Sequence, residues 1–181
     1  MSQIEVPYEE AKQQIIDEIQ KNAKGYLATS EGDLVTVRRM GLISSGLKIW
    51  CITTDNSRKV SQIIANPNVA IAAGDFLQIE GVASMKGHPM DEENSFFLET
   101  FKNQLPELYE RSLRPGRNLR RPSSRVIEVV PRRIMLSVWT PHFDLEGFQP
   151  YSIILHTDNE KAYKLSAADW HEVFKASAYK E

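Results

Sequence analysis

Apolar residues recur at helical spacing in the first part of the chain. Ala11, Ile15, Ile16, Ile19 and Ala23 fall on one face of a helix that starts near Pro7, with Gly25 as its stop. The period then changes. Residues 25–30, 34–43 and 47–53 are β-rich runs, separated by Glu31-Gly32-Asp33 and Ser44-Ser45-Gly46. Short connections of that kind predict hairpins, hence an antiparallel meander. A short amphipathic helix over 57–65 follows, with Val60, Ile63 and Ile64 as its apolar side, and Asn66-Pro67-Asn68 breaks it. Residues 69–73 and 77–85 read as two more strands. Phe97, Phe101 and Leu105 form a helical stripe, and Pro106 breaks or restarts that helix. Strands return at 125–130 and 132–140. Residues 151–156 and 161–165 form a further hairpin, and Ser166 with Asp169 resembles a helix start, with Trp170, Val173 and Phe174 behind it.

The pattern predicts a mainly β protein with inserted helices, six or seven mostly antiparallel strands closing into a small barrel. Residues 1–140 make the barrel domain. Residues 141–181 make a C-terminal extension packed on the barrel or on a dimer.

Composition changes this picture little. The 181 residues, 41% hydrophobic and 25% charged, fit one globular domain with a core of its own. A net charge of −2 argues against general nucleic-acid affinity. The single cysteine, Cys51, excludes an internal disulfide and fits a reducing cytosol. The start of the chain is charged and acidic, without the apolar core of a signal peptide, and no apolar run approaches the ~20 residues of a membrane span. The expectation is a soluble, cytoplasmic protein.

Chemistry concentrates where the third strand gives way to the short helix. Thr53-Thr54-Asp55-Asn56 leads into Ser57-Arg58-Lys59. A helix N-terminus offers free N–H groups and the positive end of its dipole, so hydroxyls and two cations there make an anion site. Arginine grips phosphate with two parallel hydrogen bonds, and lysine adds a point charge. A bland alternative stands beside this: Asn56 or Ser57 caps the helix, and Arg58 and Lys59 belong to a solvated face.

In order, these segments resemble the pyridoxamine 5′-phosphate oxidase-like family, the FMN-binding split barrels, over roughly residues 11–87 and again at 125–140. Gly25-Tyr26-Leu27-Ala28-Thr29 is similar to the opening strand of that family. Val37-Arg38-Arg39-Met40 sits where the family lays a strand beside the isoalloxazine ring. Ile52-Thr53-Thr54-Asp55-Asn56-Ser57-Arg58-Lys59-Val60 resembles its phosphate-binding segment. Leu77-Gln78-Ile79-Glu80-Gly81 resembles the strand whose glutamine approaches the flavin from the partner subunit. The resemblance implies FMN as cofactor and a six-stranded antiparallel split barrel working as a homodimer. Thr53, Arg58 and Lys59 would bind the phosphate, with Thr54 and Ser57 as further donors. Val37, Arg38, Arg39 and Met40 would hold the ring, and Gln78 would add a bond across the interface. The Arg-x-His substrate motif of the true oxidases is absent: Trp139-Thr-Pro-His142-Phe-Asp144 stands after the last barrel strand. Substrate identity therefore does not carry over. The expected activity is electron transfer from NAD(P)H to a small acceptor, the alternative a non-catalytic flavin-binding, anionic-ligand-binding or stress protein.

Six arginines lie between Arg111 and Arg125 without an acidic residue. Three readings stay open: a solvated or partly disordered loop, a lid that neutralises an anionic ligand, or a nucleic-acid contact. No aromatic residue is interleaved for base stacking, which disfavours the last. His88, His142, His156 and His171 lack metal-ligand spacing. His142 is the one to watch, since it follows the last barrel strand. Cys51 reads as a buried small hydrophobe, and Trp139 as core packing or as a wall of the flavin cleft.

Overall fold

The computed structural model describes residues 3–74, 76–138 and 151–166. Its strands are β1 (Gln3–Val6), β2 (Lys24–Glu31), β3 (Leu34–Gly41), β4 (Ile43–Ser45), β5 (Lys48–Thr54), β6 (Asn68–Ala73), β7 (Leu77–Lys86), β8 (Ser124–Val138), β9 (Tyr151–His156) and β10 (Lys161–Ser166). Four α-helices interrupt them: α1 (Tyr8–Lys21), α2 (Arg58–Ala65), α3 (Ser95–Gln104) and α4 (Pro106–Ser112).

All pairings are antiparallel. The six expected barrel strands run β3-β2-β6-β7-β8-β5, an open sheet with β3 and β5 approaching each other at the split. Four further strands extend it. β4 pairs with β5, while β9, β10 and β1 continue from the second half of β8. The two ends of the chain thus meet in one ladder, with Gln3 opposite Leu165.

β8 is long because its two halves do different work. Its first half pairs with β5 and its second with β9, while β7 accompanies almost the whole length. The sequence divides at Pro131, which lacks an N–H and predicts two strands. The structure keeps one strand by placing a bulge there, where the β7 register shifts between Glu80 and Gly81. A Cβ on Gly81 would lie 2.6 Å from the Val130 carbonyl oxygen. Gly81→Ala should therefore lower the unfolding free energy by about 1–3 kcal/mol. Urea denaturation measures this, and an unchanged midpoint would show that the bulge has slack.

The core lies on both sides of β5 and β8. Ile49 and Cys51 face the barrel interior with Leu27, Ile71, Ile79, Ile127 and the buried face of α1 (Ala11, Ile15, Ile19). Trp50 and Val126 face the other way, into a second cluster with Phe97, Phe101 and Leu119. That cluster seats α3 and the segment after α4 against the barrel wall.

Two local expectations shift. Helix α1 ends at Lys21, where Asn22 donates to the Glu18 carbonyl at 2.8 Å, so the stop is Asn22 and Gly25 lies inside β2. There the backbone of β6 comes close, and a Cβ on Gly25 would sit 2.8 Å from the Ala72 carbonyl oxygen. On α2 the buried residues are Val60, Gln62 and Ile63, whereas Ile64 is 73% exposed. Trp139, His142, His171 and the helix expected beyond Ser166 fall outside the described residues.

Candidate anion-binding site

β5 ends in Thr53 and Thr54, and α2 begins three residues after the strand ends. Ser57, the N-cap, makes no capping bond to α2. Its hydroxyl lies 2.9 Å from the Thr53 hydroxyl instead, and Lys59 Nζ donates to Thr53 Oγ1 at 3.0 Å. The first turn of α2 carries no acidic residue. The positive end of the helix thus lacks both a side-chain cap and a carboxylate. Thr54 pairs with Ser124 on β8, and its carbonyl accepts the Ser57 amide at 3.1 Å.

Arg38 reaches this corner from β3. Its Nη1 donates to the Leu27 carbonyl at 3.2 Å and to Thr29 Oγ1 at 2.6 Å. Its Nη2 donates to Thr36 Oγ1 and, at 3.0 Å, to Gln62 Oε1. Thr29 and Thr36 also donate to Gln62 Oε1, at 2.6 and 2.8 Å. The guanidinium is therefore clamped with both terminal nitrogens occupied, and it presents charge more than free donors.

Burial, and then the neighbouring Arg58 charge, push the Arg38 pKa down. Burial, and then the Arg38 charge, do the same to Lys59, against a smaller opposing effect of Cys51. Among the described residues, no carboxylate forms an ion pair with Arg38, Arg58 or Lys59. Asp55, the nearest acid in sequence, is taken by Arg125 at 3.0 Å. Three cations that repel one another, backed by hydroxyls and a helix N-terminus, form a site suited to a multiply charged anion such as a phosphate.

The remaining candidates lie elsewhere. A strand alternates its faces, so Arg38 and Arg39 point opposite ways. Arg38 and Met40 turn inward, and Met40 packs on the core. Val37 and Arg39 share the outer face with Tyr26 and Ala28, their partners on β2. Gln78 is exposed on β7, opposite Ala72. Thr29, Thr36 and Gln62 escape sequence reasoning. The one signal was a glutamine inside the apolar stretch of α2.

Cys51 sits one position from this corner's face of β5, wholly buried, and burial pushes its thiol up to about 12, with Lys59 pulling the other way. An unfolded thiol ionises near pH ~8.5. The folded pKa is the higher one, so this group's contribution is full below ~8.5 and is lost as pH rises toward 12. Cys51 should be inert to a disulfide reagent at pH 8 until the protein unfolds. Rapid labelling of native protein would overturn that.

The geometry defines the class: an antiparallel split barrel with a cationic corner at its β5–α2 turn. The chain belongs to the pyridoxamine 5′-phosphate oxidase family, whose model matches residues 11–137. Similar solved structures include a candidate pyridoxamine 5′-phosphate oxidase from Listeria innocua. It is 25% identical, with 68% of this chain and 94% of that one covered and a TM-score of 0.53. The general stress protein 26 of Bacillus anthracis is 26% identical, covering 68% and 90%, TM-score 0.53. An FAD-binding protein of Mesorhizobium loti shares the fold at 13% identity, covering 74% and 96%, TM-score 0.54. No curated protein matches the chain. Among the described residues, no helix is long and apolar enough to cross a membrane.

Proposed function

We propose that this chain is a homodimeric, cytoplasmic flavoprotein that holds FMN by its phosphate and passes electrons from NAD(P)H to a small acceptor. The observation that carries this reading is the cationic corner without a carboxylate partner. A phosphate dianion would relieve the mutual repulsion of Arg38, Arg58 and Lys59. Thr53, Thr54 and Ser57 offer hydroxyls to its oxygens. FMN, when bound, supplies the redox chemistry, so the chain needs no acid–base pair of its own. Its residues bind and orient the cofactor, and the clamped Arg38 keeps a positive charge near it.

Dimerisation has its own support. The outer face around β2 and β3 exposes Tyr26 (55%), Val35 (63%) and Val37 (61%). An apolar sheet face of this kind marks an interaction surface. Val37, Arg39 and Gln78 lie on it, where they would meet a ring bound between two copies, whereas Arg38 and Met40 stay on the inner side. Val37→Asp should convert a dimer to monomers in sedimentation velocity. Sedimentation unchanged from the parent would mean that another face makes the contact.

A second reading, flavin or anion binding without turnover, is favoured by the absence of an acid–base pair at the corner and by the likeness to a general stress protein. The test is the absorption spectrum of the purified protein, with and without added FMN, followed by NADPH. Bound flavin reduced over many turns supports the oxidoreductase. Bound flavin that NADPH does not reduce supports the second reading. No flavin bound at all removes both.

A further inference from the structure

We propose that the loop between α4 and β8 is a second anion subsite, for the further phosphate of a nucleotide whose first phosphate occupies the corner. This rests on the flavin reading and deepens it: the ligand class is a flavin nucleotide with a pyrophosphate, FAD chemistry as well as FMN.

The loop is built. Leu119 is fully buried in the cluster with Phe97, Phe101 and Val126. Its amide donates to the Ser112 carbonyl at 3.0 Å, which closes the loop on the end of α4. The amides of Arg120 and Arg121 both donate to the Arg117 carbonyl, at 2.9 and 2.8 Å. His88 Nε2 holds the Arg121 carbonyl at 3.0 Å from the far side. The Met90 amide donates to His88 Nδ1, so Nε2 carries the proton toward that carbonyl.

This frame displays charge. Arg111, Arg114, Arg117, Arg120 and Arg121 are all exposed, and among the described residues none pairs with a carboxylate. Arg121 spends one terminal nitrogen on the Gly116 carbonyl, at 3.1 Å. The side chains of Arg114, Arg117 and Arg120 have no hydrogen-bond acceptor among the described residues.

Position joins the loop to the corner. The Ser124 amide donates to the Arg121 carbonyl at 2.9 Å, and Ser124 is the β8 partner of Thr54. The Asp55 amide donates to the Ser123 carbonyl at 2.8 Å. Asp55 itself, which would repel a phosphate chain crossing from one site to the other, is neutralised by Arg125. The arginines therefore begin one hydrogen-bonded turn from the first phosphate's hydroxyls, with the intervening charge cancelled. A pyrophosphate spans such adjoining subsites, and guanidiniums match its oxygens.

The experiment compares the parent with an Arg114→Ser/Arg117→Ser/Arg120→Ser variant. None of these side chains supports the fold, and circular dichroism checks that. Binding of FMN and of FAD is measured by equilibrium dialysis at low and moderate salt. The expected result is FAD affinity lowered about tenfold or more in the variant, roughly the worth of one charge-assisted hydrogen bond, with FMN affinity within about twofold. The FAD loss should shrink as salt rises. Equal affinities for FAD in parent and variant would overturn the subsite and leave the FMN reading standing. Failure of the parent to bind either flavin would overturn both. A short RNA that binds the parent and not the variant, while FAD binds both alike, would assign the loop to nucleic acid and overturn the subsite too.

Discussion

Replacing Arg58 and Lys59 together with alanine should weaken FMN binding by about 3–5 kcal/mol, roughly two to four orders of magnitude. Each charge-assisted hydrogen bond to phosphate is worth ~1.5–3 kcal/mol. The two residues do not contribute equally. Arg58 is exposed, and solvent screens it. Lys59 is half-buried and already anchored to Thr53, so it loses less freedom on binding and should carry the larger share. Fluorescence titration of apo protein gives the number. An unchanged affinity in the double variant would place the phosphate elsewhere. The pH dependence adds a check. Burial and the Arg38 charge hold the Lys59 pKa below its usual 10.5. Affinity should fall as pH rises through that lowered pKa, because the neutral amine no longer attracts the anion. In Lys59→Arg the alkaline loss should move to higher pH, since a guanidinium keeps its proton.

Gln62→Leu should cost about 2–4 kcal/mol of stability with little change in volume. Gln62 is fully buried, and its Oε1 accepts from Arg38, Thr29 and Thr36. Leucine removes that acceptor. Two hydroxyls and one side of a guanidinium then lose a buried partner, and hydrogen bonds to charged groups are the expensive ones to lose. One gain partly offsets this: Gln62 Nε2 is buried without a partner, and leucine removes that unpaired donor. Gln62→Glu separates stability from binding. A carboxylate still accepts from Arg38, so the fold should lose less than in Gln62→Leu. It also neutralises the clamped charge behind the corner, and phosphate affinity should fall. Urea denaturation with FMN titration reads both quantities. Parental stability in Gln62→Leu would show that the buried network contributes nothing.

Much of this site was legible because its parts are neighbours in sequence. Thr53, Ser57 and Lys59 stand at i, i+4 and i+6 across one strand-to-helix turn, and local geometry alone gathers them. Arg38 was legible as a cation near the ring strand, but its role was not. On β3 the apolar residues Val35 and Val37 face outward, while Thr36 and Arg38 turn in. Alternation shows that two faces exist. It does not say that the polar face meets a buried glutamine on α2 and that the apolar face stays open. The same limit hid Ile64, which reads as a core position and is exposed.

The loop of arginines shows the other kind of limit. Its composition left a solvated loop, a lid and a nucleic-acid contact equally admissible. The buried Leu119 and the ladder between Thr54 and Ser124 fix where the charges stand.

The sequence alone determined the β-rich antiparallel order, the helix after the third long strand, the break at Pro106 and the hydroxyl–cation turn. Each depends on periodicity or on residues a few positions apart. Only the tertiary structure decided the pairing of β1 with β10, the single long β8 through Pro131, the clamp on Arg38 and the nearness of the arginine loop to the corner. These join segments tens of residues apart. Their energy is realised only when the barrel brings the two backbones within hydrogen-bonding distance, and no local pattern records which partner will be there.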